Sequence, residues 1–307
     1  MKTAWEVNDV KIRGRGVITM EDGAVTSGGC KDSSSLIFVW KGEGVSIEGV
    51  TAVGANFGAI GGNIGGNTYF GSVPPPNFEG EKGLRVSNVK VMAWQFASDG
   101  IFVGRNGYVG DSFVRCNDDI GPDYQSGQLW ENNVFWQLEN GWPWLAQWNT
   151  WDEYDNKDTG GGAHGIEIRD AVLLHMEQRD DNVYGGRKRS VFGAWQGMTN
   201  VVKDVLFKNI VVEGGIWVRP FVLHVGQSPF SQVPNECCGN GSLEGFRFEN
   251  IRFDERPAMI SIIEGNAEEG GVVKDVVFSG VEFAGVKMTK GDVEIDAAST
   301  NGILIEA

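Results

Sequence analysis

FRFENIRFD at 246–254 reads apolar, any, apolar, any, Asn, and then the apolar alternation again. Two short strands of period 2 joined by a one- or two-residue corner have this pattern. The pattern recurs as VSIEGVTAV at 45–53, LRVSNVKVM at 84–92, LWENNVFWQ at 129–137, VLFKNIVVE at 205–213 and VVFSGVEFA at 276–284. Looser copies are YVGDSFVRC at 108–116 and IEIRDAVLLH at 166–175. The corner residue is Gly49, Asn88, Asn133, Asn209, Asn250 or Gly280. Gly and Asn enter the left-handed backbone region at low cost, so the chain bends there without strain.

A hairpin would reverse the alternation rather than resume it. No helix-period segment of ten or more residues separates the copies, which argues against βαβ units. A β-sandwich or propeller needs antiparallel hairpins with Asn-Gly or Asp-Gly turns, and these are rare in the right context here. Corners at 49, 88, 112, 133, 170, 209, 250 and 280 lie 39, 24, 21, 37, 39, 41 and 30 residues apart. The short gaps fit one coil of a solenoid. The long ones fit a coil with a loop, or two coils of which one is degenerate. Coils that cannot bury their apolar side alone form a continuous core when stacked. The expectation is an all-β, single-stranded right-handed parallel β-helix of about eight to ten coils, one domain over 1–307. The longest irregular stretches are 138–165 and 226–244, where function is expected to gather.

The chain is 41% apolar with 17 Phe and 11 Trp, enough for a sizeable core. Its 26 basic and 41 acidic residues leave a net charge of −15, which disfavours nucleic acid and anionic membranes as partners. No apolar run approaches the roughly 18 residues of a membrane span. The start, MKTAWEVNDV, lacks the apolar centre of a secretion signal and opens in strand-like sequence, as a piece of a longer protein would. The four cysteines, Cys30, Cys116, Cys237 and Cys238, have no zinc-site spacing, though one or two disulfides are open to a secreted chain. With three histidines, His164, His175 and His224, a metal cage is not expected.

Candidate acids stand in two segments, FASDGI at 96–101 and RCNDDI at 115–120. Asp99 and Asp118 are 19 residues apart, about one short coil, and each precedes an apolar strand start. Winding would stack Asp99 against Asp118 and Asp119 in one lateral groove. Like charges so close cannot all ionise, so one acid should keep a proton near neutrality. Glycoside hydrolysis needs such a set: a protonated acid for the leaving oxygen and a carboxylate that activates water or attacks. A separation of roughly 6.5–9.5 Å gives inversion. An Asp pair alone is usually solvated loop, which is the reading for Asp180-Asp181, where no third acid lies one coil away.

The order Ser-Asp-Gly-Ile at 98–101, then Asn-Asp-Asp at 117–119, resembles the β-helical glycoside hydrolases of the polygalacturonase and dextranase clan. The 19-residue spacing is most similar to the dextranase/isopullulanase family, glycoside hydrolase family 49. Tyr124, Ser126-Gly127 and the run NGWPWLAQW at 140–148 agree with it. The resemblance implies an inverting, extracellular enzyme without metal or organic cofactor, in which Asp118 is the general acid and Asp99 and Asp119 hold and activate the water. Three features depart from the family: the missing N-terminal β-sandwich, the stretch IGPD at 120–123, and the Trp-rich insertion reaching Gly162. A weaker likeness to the polygalacturonase Gly-His-Gly segment lies in GAHGI at 162–166, with His164 late at 45 residues after Asp119 and Arg187-Lys188-Arg189 as candidate uronate contacts.

Sugar rings pack their C–H faces on indoles. Trp142, Trp144 and Trp148 are therefore candidate platforms, whereas Trp130 sits at a strand position suited to the core. Asn140, Tyr124 and Gln147 are candidate hydroxyl contacts by position and resemblance, and His164 is a further candidate. His175 and His224 read as structural. The expected function is an inverting hydrolase of a polysaccharide, an α-glucan of the dextran or pullulan kind, acting as a monomer. The alternatives are a β-helical polysaccharide lyase, a polygalacturonase-like hydrolase of a uronate polymer, and a non-catalytic glycan-binding β-helix.

Overall fold

The computed structural model describes residues 9–20, 35–39, 44–55, 58–61, 83–96, 98–122, 125–148, 163–178, 182–183, 187–196, 201–226 and 240–306. The chain is a right-handed parallel β-helix. Among the described residues its first face is a ladder of ten rungs: Lys11–Arg13, Ser46–Glu48, Arg85–Ser87, Tyr108–Gly110, Leu129–Glu131, His164–Met176, Val201–Val212, Ser242–Phe253, Val272–Ser279 and Thr300–Glu306. After a tight corner, Val17–Thr19, Thr51–Val53, Lys90–Met92, Phe113–Cys116 and Val134–Gln137 begin the second face, continued by the later halves of the long strands. The third face runs from Ile37–Phe38, Ile60–Gly61 and Ile101–Phe102 to Gly121–Pro122, Trp144–Trp148, Ser190–Gln196, Arg219–Val225, Ser261–Glu264 and Val293–Ile295.

Register resolves the long spacings. Leu129 pairs directly with Glu167, and Arg85 with Ser46, so each of these long gaps is a single coil rather than two. At two corners the bend falls one residue earlier than the repeat suggested. Asp111 (φ 52°) and Asn132 (φ 56°) take the left-handed conformation, not Ser112 and Asn133. Those two point inward instead. Asn133 Oδ1 accepts from the Ser112 amide at 3.0 Å, and its Nδ2 donates to the Val109 carbonyl at 3.0 Å. The outer corner residues form a side-chain ladder, with Asn209 donating to Asp170 at 2.9 Å and Asn250 to Asn209 at 3.1 Å.

The core follows from aromatic residues in register. Phe207, Phe248 and Phe278 are cross-rung partners and stack with centroids 5.2 and 4.9 Å apart. Trp144, Phe192 and Phe221 form a second column at 4.9 and 5.2 Å. Both match the strand spacing of about 4.8 Å, which lets each ring cover the next. Among the described residues the only helical element is the 3₁₀ turn Lys290–Asp292, and no helix is long and apolar enough to cross a membrane.

Candidate active site

Between the second and third faces each coil makes a turn, and these turns carry the candidate site. Asp99 lies between Lys90–Met92 and Ile101–Phe102. Asp118 and Asp119 lie between Phe113–Cys116 and Gly121–Pro122. Asn140 to Trp142 lie between Val134–Gln137 and Trp144–Trp148. Three successive turns are sewn together by backbone bonds. The Asp118 amide donates to the Ser98 carbonyl (2.9 Å), the Gly100 amide to the Asp119 carbonyl (2.8 Å), and the Asn140 amide to the Asn117 carbonyl (3.0 Å). The 19-residue spacing is therefore one coil.

The three acids meet: one carboxylate oxygen from each of Asp99, Asp118 and Asp119 lies within 4.8 Å of the others. Asp99 and Asp119 are 7% and 4% exposed, while Asp118 is half-buried. Each is held by donors. The Asp119 amide donates to Asp99 Oδ1 and Asp118 Oδ1, both at 3.1 Å. The Trp142 amide donates to Asp119 Oδ1 at 2.9 Å, and Asn140 Nδ2 donates to Asp118 Oδ2 at 2.9 Å. Behind them the Cys116 thiol donates to the Asp118 carbonyl at 3.2 Å. Burial pushes this thiol well above its ordinary value, and the neighbouring carboxyl groups of Asp99, Asp118 and Asp119 push it further. Cys116 is a free thiol; the other three cysteines lie outside the described residues. Three hard carboxylate oxygens are also the donor set that calcium or magnesium takes.

The other sequence candidates divide. Asn140 joins the site as a support: it holds Asp118 and the Phe96 carbonyl (3.0 Å), and its Oδ1 accepts from Arg189 at 2.8 Å. Trp144 is a correction. It is 0% exposed and lies against Phe135 and Phe192 in the core, because 144–148 is a strand of the third face and not a loop. Trp142, 6% exposed, serves through its backbone amide, with its ring over Gly193 and not open to a sugar. His164 starts a rung of the first face and lies 3.0 Å from Ser126 through Nδ1, at the corner on the far side of the third face from the acids. Tyr124 and the side chains of Gln147 and Trp148 fall outside the described residues.

Supports that the sequence reading missed include Gln137 and Gln178. Gln137 Nε2 donates to the Asn117 and Asp118 carbonyls, both at 3.0 Å, and Gln178 Nε2 to the Gly141 carbonyl. The signal was present: Gln137 occupies the inward column between Cys116 and Met176, where an apolar residue belongs.

Fold and site together define a parallel β-helix with a buried acid cluster on one line of turns. Its architecture is shared by Dex49A from Penicillium minioluteum, at a TM-score of 0.65 and 16% identity over 98% of this chain. The chain spans about half of that protein, 52% of its length. No protein-family model and no curated protein matches the sequence.

Proposed function

We propose that this protein is an inverting glycoside hydrolase of a polysaccharide, an α-glucan of the dextran or pullulan kind, working outside the cell as a monomer. Asp118 is the general acid, and Asp99 and Asp119 hold and activate the water. The observation that carries the reading is three carboxyl groups from two coils within 4.8 Å, with Asp118 alone half-open to solvent. Groups so close cannot all carry full charge, so a proton is retained for the leaving oxygen. The separation by itself points the other way, since retaining enzymes hold their pair about 5 Å apart. Burial supports inversion instead. Asp99 and Asp119, 7% and 4% exposed, are poorly placed for direct attack on an anomeric carbon, which suits a role through a water.

The test is release of new reducing ends from a panel of neutral and acidic polysaccharides. Asp118→Asn should lower the rate about 10²- to 10⁴-fold, the ordinary worth of general acid catalysis. Equal rates for variant and parent would remove Asp118 from the mechanism, and a product of retained configuration would exclude direct attack of water on the glycoside. The compact oxygen set also favours a second reading, a cation-dependent lyase. That reading requires a uronate substrate, an unsaturated ultraviolet-absorbing product and loss of activity on chelation.

A further inference from the structure

Trp142 and Trp144 are withdrawn from the surface and the Trp148 side chain lies outside the described residues, which directs attention to the aromatics that are exposed. Among the described residues three large apolar aromatic side chains are exposed: Trp94 (49%), Phe96 (61%) and Trp217. Two of the three sit in the turn that ends in Asp99. We propose that Trp94, flanked by Phe96, is the platform on which a neutral pyranose ring stacks, one coil before Asp118 and Asp119. This rests on the hydrolase reading for its class of ligand.

The turn is fixed to the acids, not merely near them. Asn117 Nδ2 donates to the Trp94 carbonyl at 3.2 Å. Asn140 Nδ2 donates both to the Phe96 carbonyl and to the Asp118 carboxyl, so one amide sets the aromatic shelf and the acid together. Ser98 Oγ donates to the Gln95 carbonyl at 2.7 Å and tightens the same turn. On the side of the preceding coil the indole meets Gly54, its ring carbons 3.6 and 3.7 Å from where a Cβ there would stand. A ring held this way loses little freedom when a sugar covers it, so its apolar burial goes into binding. The occupant is set by charge. Three carboxyl groups beside the shelf disfavour a uronate, and Asp118, the most open of them, can accept a hydrogen bond from a hydroxyl of a neutral sugar.

The experiment measures binding by calorimetry on the full chain carrying Asp118→Asn, so that ligand is not consumed. The ligands are α-1,6-, α-1,4- and β-1,4-linked gluco-oligosaccharides and an oligogalacturonate. The expected result is that at least one neutral ligand binds, that adding Trp94→Ala weakens it on the order of tenfold, equal to about 1.4 kcal/mol, and that Trp94→Phe restores most of the loss. Because the side chain is half exposed, thermal melts of the variants should match, which separates lost binding from lost fold. Parental affinity in Trp94→Ala, binding of the oligogalacturonate alone, or binding of no neutral ligand overturns the proposal. If Trp94→Ala weakens binding while the unsubstituted protein releases no reducing ends, the platform stands and the hydrolase reading falls.

Discussion

Replacing Gly141 with alanine tests whether the acid cluster depends on close stacking of its turns. Gly141 has φ +64°, and a Cβ there would stand 2.4 Å from Asp118 C and from Asp119 N, and 2.6 Å from Asp118 Oδ1. The two nearest obstructing atoms are backbone of the acids themselves, so rotating a side chain away cannot relieve the contact. Ordinary contact begins near 3.4 Å, so the two turns must separate by about 1 Å, a misplacement able to cost about 10²-fold in rate. The left-handed backbone adds about 1–2 kcal/mol of strain for any residue with a Cβ. Gly141→Ala is thus expected to lower polysaccharide cleavage about a hundredfold and to lower the denaturation midpoint, while the far coils keep their strand signal by circular dichroism. The assay pairs initial rates of reducing-end release with urea unfolding of parent and variant. Parental rate and parental midpoint together would refute the idea that these turns are in contact as described.

Two further outcomes follow from the core. Trp144→Ala should destabilise by about 3–5 kcal/mol, the range for removing a buried aromatic, measured by urea unfolding; a loss under 1 kcal/mol accompanied by weaker glycan binding would return Trp144 to the surface. The Cys116 thiol should resist alkylation in the native state and react once unfolded. Its raised folded value means the stability it contributes is fully present below about pH 9.0, where the unfolded thiol is also protonated. That stability should fall as pH rises, because the unfolded chain loses the proton first. A midpoint that rises between pH 8 and 10 in the parent but not in Cys116→Ala contradicts that sign.

The repeat was legible because each copy spells its own corner. FRFENIRFD and VLFKNIVVE carry the phase of both strands and the residue that turns between them, and their register is Val205 to Phe246 and Ile210 to Ile251. The third face was not legible. Its early strands are two residues long, and Trp144–Trp148 resembles a loop because it is framed by Gly, Pro and polar residues. Missing that strand misassigned Trp144, since alternation along it turns the ring to the core. His164 was drawn toward the site by sequence order, although a whole face of the coil separates it from the acids. Phe96 was in view only as a neighbour of Asp99, and Trp94 not at all. Sequence cannot say that an aromatic at the end of a strand has left the core.

The linear chain determined by itself the coil, its corners to within one residue and the one-coil interval between Asp99 and Asp118, because local alternation and left-handed residues act over a few positions. Which side chains converge was decided only by the wound structure. Asn140 reaches Asp118 across 22 residues and Phe96 across 44, distances along the chain that collapse to a hydrogen bond when coils stack. Whether an indole faces the core or the solvent is likewise set by neighbouring rungs, and no residue carries that information alone.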